Sequence, residues 1–170
     1  MTIEQAAAQL ERSAEMIRVY AEGVDPVDAV KKPAPDKWSI IEVLGHLLLE
    51  EQQDFRPRME LIIYRPGFDF PPLDVDAAVK AARLQTQKLD LVIRLFQQER
   101  ATSLRWLRSL DDEVLERYHE HPEFGRLSCG DLLHAWVAHD LLHLRQLLKL
   151  QHGLVEAASE PYGIGYAGAW

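Results

Sequence analysis

Residues 135–148 read AWVAHDLLHLRQLL, and the fold class turns on whether this apolar run is a helix or a strand. Its apolar positions recur at three- and four-residue intervals and do not alternate, so the run is helical. At about 100° per residue, Leu132, Trp136, His139, His143, Leu147 and Leu150 fall within about 40° of the His143 direction. One core-facing stripe therefore carries two histidines a single turn apart. Ser128 and Asp131 have the spacing of a capping box ahead of the run. Gly153 supplies a C-terminal stop, so the helix is expected from Ser128 to His152.

Working outward, the same period recurs and strand-like alternation is almost absent. Thr2 can cap a first helix with apolar positions Ile3, Ala7, Leu10, Ala14, Ile17 and Ala21, ending near Gly23. A linker with Pro26, Pro33 and Pro35 precedes WSIIEVLGHLLLEEQQDF, where Ser39 and Glu42 repeat the capping-box spacing. This second helix is expected to reach Tyr64, with a bend at Pro57, where one backbone hydrogen bond is lost. The segment RPGFDFPPLD ends it. A third helix is expected from Asp74 or Asp76 to Leu110, long enough to be split, on a stripe interrupted by Thr86 and Arg100. The connector DDEVLERYHEHPEFGRL reads as polar loop with room for one helical turn.

Four long helices imply an all-α four-helix bundle. Its three connectors each exceed ten residues, whereas up-down bundles need about two to eight, so crossover connections are expected. A chain of 170 residues supports one domain. Residues 1–153 form the expected bundle, and 154–170 an irregular tail, ending in Trp170, packed on the bundle or at a dimer interface.

The formal charge of −8 argues against a phosphate-binding surface, so no nucleic-acid partner is expected. No apolar run approaches the ~18 residues needed to cross a bilayer. The N-terminus lacks the basic-then-apolar order of a signal peptide. The lone Cys129 cannot form an internal disulfide. A cytoplasmic protein without a membrane partner is the expectation.

Two imidazoles one turn apart on the same face can converge on one ion, but two ligands hold a metal weakly. His46 is the one mid-helix histidine outside the fourth helix. It lies at the border between an apolar stripe and a polar seam formed by Glu42, Glu50 and Gln53, each within about 40° of it. Such a seam suits an active-site groove, and Glu42, Glu50 or Asp140 can accept from the second nitrogen of a ligating imidazole. Each residue also has a plainer role. Core-stripe histidines can be ordinary hydrogen-bonded residues, Glu42 can simply complete the Ser39 cap, and Glu50, Glu51 and Asp54 can form a solvated face. Cys129 lies about 15 Å along the axis from His139, too far to be a ligand, and an inert thiol is expected. His119 and His121 suit a solvated connector. His134 points about 140° away from His139, Arg145 is also off the histidine face, and Gln146, about 60° from His143, can reach substrate or a ligand's second nitrogen.

Together, WSIIEVLGHLLLEE and, about ninety residues on, HDLLHLRQL resemble the DinB/YfiT-like superfamily of four-helix bundles regarded as metalloenzymes. The resemblance spans about Pro35 to Leu150. It implies a divalent metal, zinc, nickel or iron, one per chain, held by His46, His139 and His143 with positions left open to water. It also implies either a thiol S-transferase using a low-molecular-weight thiol such as bacillithiol or mycothiol, or a metal-dependent hydrolase, acting on a small-molecule substrate. Dimers are common in that superfamily, so a homodimer is expected. The remaining alternative is a stress-associated module that binds or dimerises without catalysis.

Overall fold

The computed structural model describes residues 1–168 and contains seven α-helices among them, with short 3-10 turns and one hairpin. The four long elements are α1 (Ile3–Glu22), α3 (Ile40–Gln53), α6 (Leu89–Leu107) and α7 (Cys129–Ala158). Shorter helices α2 (Pro26–Ala29), α4 (Phe55–Tyr64) and α5 (Val75–Ala81) lie in the connectors. Capping boxes start three of the four: Thr2 with Gln5, Ser39 with Glu42, and Ser128 with Asp131. Each satisfies backbone donors that the first turn would otherwise leave unpaired.

Cross-helix hydrogen bonds fix the directions. Gln97 and Arg100 donate to the carbonyls of Ala14 and Leu10, so α6 descends as α1 ascends. Arg100 also reaches Asp140, while Tyr20 donates to the Leu147 carbonyl, so α1 and α7 run the same way. His46 meets His143, and Glu51 meets Trp136, so α3 is antiparallel to α7. It follows that α3 and α6 are parallel. The chain between them must therefore return along the bundle, which is the work of residues 54–88.

The buried apolar residues divide into two clusters. One gathers Ile17, Ile41, Leu44, Leu47, Phe96 and Leu147, among others; the other gathers Leu10, Phe55, Met59, Leu107, Leu133 and Trp136. Between them lies a layer of buried polar side chains: Ser13, His46, Glu50, Glu51, Arg100, Ser103 and Asp140. Full burial of a large apolar side chain contributes about 1.5–3 kcal/mol, so the two clusters supply the stability that lets this polar layer persist.

Three local features differ from the expectation, and a fourth, the split allowed for in the third helix, is now located. The second helix breaks at Asp54 (φ −118, ψ −95), not at Pro57. Pro57 instead occupies the first turn of α4, where its missing N–H costs nothing, and the break sits where its ring would meet the preceding turn. The third helix is two, because Arg83 adopts φ 47 and a 3-10 turn at Leu84–Thr86 separates α5 from α6. The connector contains an antiparallel hairpin, β1 (Tyr118–His121) with β2 (Gly125–Ser128). Finally, α7 runs through Gly153 to Ala158, so the first residues expected in the irregular tail are helical. Nothing lies near Gly153, and a glycine inside a long packed helix costs only about 1 kcal/mol. Trp170 lies outside the described residues.

Candidate metal centre

The triad assembles from two helices. His46 sits in the second turn of α3 and is 4% exposed, while His139 and His143 project from the middle of α7 and are half-buried. Their Nε2 atoms form a near-equilateral triangle: 3.1 Å from His46 to His139, 3.0 Å from His46 to His143, and 3.0 Å from His139 to His143. Trp38 covers one side of the His46 ring at 4.9 Å between centroids, and Phe55 meets the His139 ring edge-on at 5.3 Å. Gly45 lets the connector approach α3 closely here, since a Cβ at that position would run into the Leu84 side chain.

The protonation pattern decides what the triangle can do. Gln146 Oε1 lies 2.8 Å from His143 Nδ1. An amide oxygen only accepts, so Nδ1 carries the proton and Nε2 presents a bare lone pair to the centre. Burial, followed by the neighbouring His143, holds the pKa of both His46 and His139 down at about 3. Burial lowers His143 as well, opposed by the Gln146 hydrogen bond. All three rings are thus neutral near pH 7. The Nδ1 atoms of His46 and His139 are buried without a hydrogen-bond partner, so neither ring is held by another claim on it. In the metal-free protein one Nε2–H can donate to a neighbouring Nε2 across these 3.0–3.1 Å contacts; with the protons of His46 and His139 on Nδ1, three lone pairs converge and repel unless a positive charge lies among them. One ion about 2.0–2.1 Å from each imidazole nitrogen reaches all three. The donor set fits a first-row divalent metal. Among the described residues, no fourth His, Cys, Asp or Glu joins the cluster, so protein ligands leave part of the coordination shell open.

The other expected residues divide. Glu50, 4% exposed, places Oε1 3.5 Å from His46 Nδ1. Burial and the adjacent Asp54 push its carboxyl up to about 8, so it is largely protonated at neutral pH. Gln146 touches His143 directly. Glu42 does not reach a histidine: it accepts from the Ser39 backbone and hydroxyl and pairs with Lys32 at 2.8 Å. Gln53 is exposed at the end of α3. Asp140 faces Arg100. Cys129 is buried, and burial raises its thiol to about 11, which makes it unreactive. His119 and His121 lie on β1 and pack against Phe70, while His134 bonds the Gly130 carbonyl, all apart from the triad.

Sequence reasoning missed the polar network beside the triad. Arg100, 1% exposed, donates to Glu51 at 2.7 Å and bidentately to Asp140 at 2.6 and 2.9 Å. Ser103 donates to Glu51 at 2.6 Å, and the Trp136 indole donates to it at 3.1 Å. The available signal was Arg100 on the apolar stripe of its helix, since an arginine there must find buried carboxylates. An open groove of about 930 Å³ between the ends of α1 and α6, floored by Ala21, Val24, Ile41 and Ile93, includes none of the triad. Convergent lone pairs are the stronger indication of chemistry.

The fold and site define a four-helix bundle with a three-histidine cluster across two antiparallel helices. The sequence profile of the DinB superfamily matches residues 9–147, and the chain belongs to that superfamily. Among solved structures, it is similar to YfiT from Bacillus subtilis, described as a probable metal-dependent hydrolase with an unusual four-helix bundle topology. That match has a TM-score of 0.79 at 18% identity, covering 89% of this chain and 87% of the other. A mycothiol-dependent maleylpyruvate isomerase matches with a TM-score of 0.70 at 9% identity, over 86% of this chain and 61% of the other. The colibactin self-resistance protein ClbS, solved with double-stranded DNA, matches at 0.69 and 10% identity, over 88% and 95%. These likenesses show a shared fold. No curated protein matches the sequence significantly.

Proposed function

We propose that this protein is a metal-dependent S-transferase that joins a low-molecular-weight thiol to an electrophilic small molecule, with one zinc, nickel or ferrous ion per chain held by His46, His139 and His143. The observation that carries this reading is the neutrality of the donor set: three uncharged imidazoles and no nearby carboxylate ligand. A divalent ion held only by neutral ligands keeps its full charge and so depresses the pKa of a thiol or water that it binds. The chain's own residues do the rest. Gln146 holds the His143 tautomer, Trp38 and Phe55 wall two of the rings, and the protonated Glu50 beside His46 adds no charge that would weaken an incoming thiolate. In the reaction, thiolate sulfur bonds to the electrophilic carbon, the leaving group departs with its bonding pair, and the thiol proton passes to solvent.

The isomerase neighbour's use of mycothiol supports the thiol. YfiT's description supports a second reading, hydrolysis at the same site through water. The net charge of −8 argues against DNA as the partner, despite the ClbS complex. No described helix is long and apolar enough to cross a membrane, and a buried unpaired Cys129 fits a reducing cytoplasm. A homodimer is supported by Leu141, Leu148 and Val155, exposed at seven-residue spacing on α7.

The test is consumption of a bacillithiol- or mycothiol-type thiol with a haloarene. The expected rate depends on added metal and falls to background in His46→Ala. Equal rates after chelation remove the S-transferase reading. Metal-dependent ester cleavage without thiol consumption favours the hydrolase, and a metal-loaded protein inert in both assays favours a non-catalytic module.

A further inference from the structure

Of the two long helices that contribute no histidine, α6 carries a buried arginine beside the triad. Among the described residues, Arg100 on α6 is the one side chain that bonds to all three other long helices: the Leu10 carbonyl on α1 at 2.9 Å, Glu51 on α3 at 2.7 Å and Asp140 on α7 at 2.6 and 2.9 Å. Asp140 directly follows His139, and Glu51 lies five residues beyond His46. A rigid guanidinium therefore bridges the two backbones that carry the ligands, within about one turn of them. The bridge is itself braced. Glu51 is held by Ser103 and Trp136, and Trp136 stacks on Phe55 at 5.5 Å, whose edge meets His139.

We propose that Arg100 is the positioning residue of the metal centre: clamped between Asp140 and Glu51, its guanidinium sets the spacing of α3 and α7 that brings His46 Nε2 to within 3.1 Å of the α7 histidines. This inference rests on the reading that the triad holds a divalent ion. Coordination bonds tolerate displacements of only about 0.2 Å, whereas apolar packing between helices adapts more easily. Lysine at position 100 keeps the charge but cannot bond two carboxylates in a fixed planar fork.

The test is a Co²⁺ titration of the metal-free full-length protein in the cold, followed by the cobalt absorption bands and by competition with a chelator. The variants are Arg100→Lys and Asp140→Asn. Leu104→Ala, one turn along α6 and 7% exposed, serves as the stability control. The expected result is one Co²⁺ per chain for the parent, affinity weaker by about 10–100-fold in Arg100→Lys with altered bands, and a loss in the same direction for Asp140→Asn. Leu104→Ala should lower Tm while leaving affinity and bands unchanged. If Arg100→Lys does not fold by circular dichroism, Asp140→Asn decides. Parent-like affinity and bands in the folded variants overturn the positioning role and leave the triad intact. Affinity that merely follows Tm across all three variants overturns it as well. A parent that binds no Co²⁺ removes the metal reading itself.

Discussion

The pKa values of His46 and His139, near 3 against an ordinary 6.5, and of Glu50, near 8 against 4.5, pull the metal-free protein in opposite directions with pH. Between pH 3 and 6.5 the unfolded chain takes up protons on both histidines that the folded chain refuses, so their contribution falls as pH falls. Glu50 keeps its proton in the fold, so its contribution is present below pH 4.5 and lost as pH rises towards 8. From 4.5 to 6.5 these two histidines and His143, which burial lowers in the same direction, outweigh Glu50 and Glu51, whose carboxyl burial also raises, and above 6.5 the histidines no longer change while the raised carboxyls still do. The Tm of the chelator-treated protein should therefore peak near pH 6.5 when scanned from pH 4 to 9; a Tm still rising at pH 8 would contradict these assignments. In the adjoining network, Ser103→Ala leaves a buried Glu51 oxygen short of a donor and should cost about 1–3 kcal/mol in denaturant unfolding. His139 and His143 were legible in the sequence because a helical wheel places both on a core-facing stripe, and His46 because it lies where an apolar stripe borders a polar seam. Arg100 was not, because one charge on a stripe reads as an interruption until the carboxylates facing it from other helices are known.

At the scale of elements, the caps located the starts of α1, α3 and α7, since that signal is local, whereas the end of α3 and the start of α6 lie well inside the spans that the apolar stripes suggested. The hairpin escaped notice because Tyr118–His121 and Gly125–Ser128 are largely exposed and pair through backbone groups, leaving no apolar alternation to detect. Its one readable cue is Gly125, at φ 64 after a proline-containing turn, a conformation that favours glycine. The split before α6 depends on Arg83 in the left-handed region, which its sequence does not announce. Where the connector crosses α3, Gly45 and Leu84 set the approach. Gly45→Val should force Leu84 aside at a cost of about 1–3 kcal/mol, read as a lower denaturant midpoint. An unchanged midpoint would mean that the connector does not pack on α3 as described.

For the whole molecule, parallel α3 and α6 require a connection that spans the bundle, and the long linkers in the sequence anticipated that requirement. Pairing of α3 with α7 did not follow from the pattern of either helix, because every amphipathic helix offers its stripe to any neighbour. The resemblance to the DinB superfamily supplied that pairing. On the outside, Leu141 and Leu148, 53% and 50% exposed, should lie at the interface if the chain dimerises. Light scattering should then give about two chains for the parent and one for Leu141→Lys, Leu148→Lys, with metal content preserved; a parent already monomeric removes the dimer. The central claim, that this bundle is built around a metal, is tested most directly by elemental analysis of the untagged protein purified without added metal, beside the His139→Ala, His143→Ala double variant. The prediction is about one first-row metal per chain in the parent, lost in a variant that remains helical. No metal in the parent even after incubation with zinc, nickel and iron, or equal metal in the variant, would contradict it.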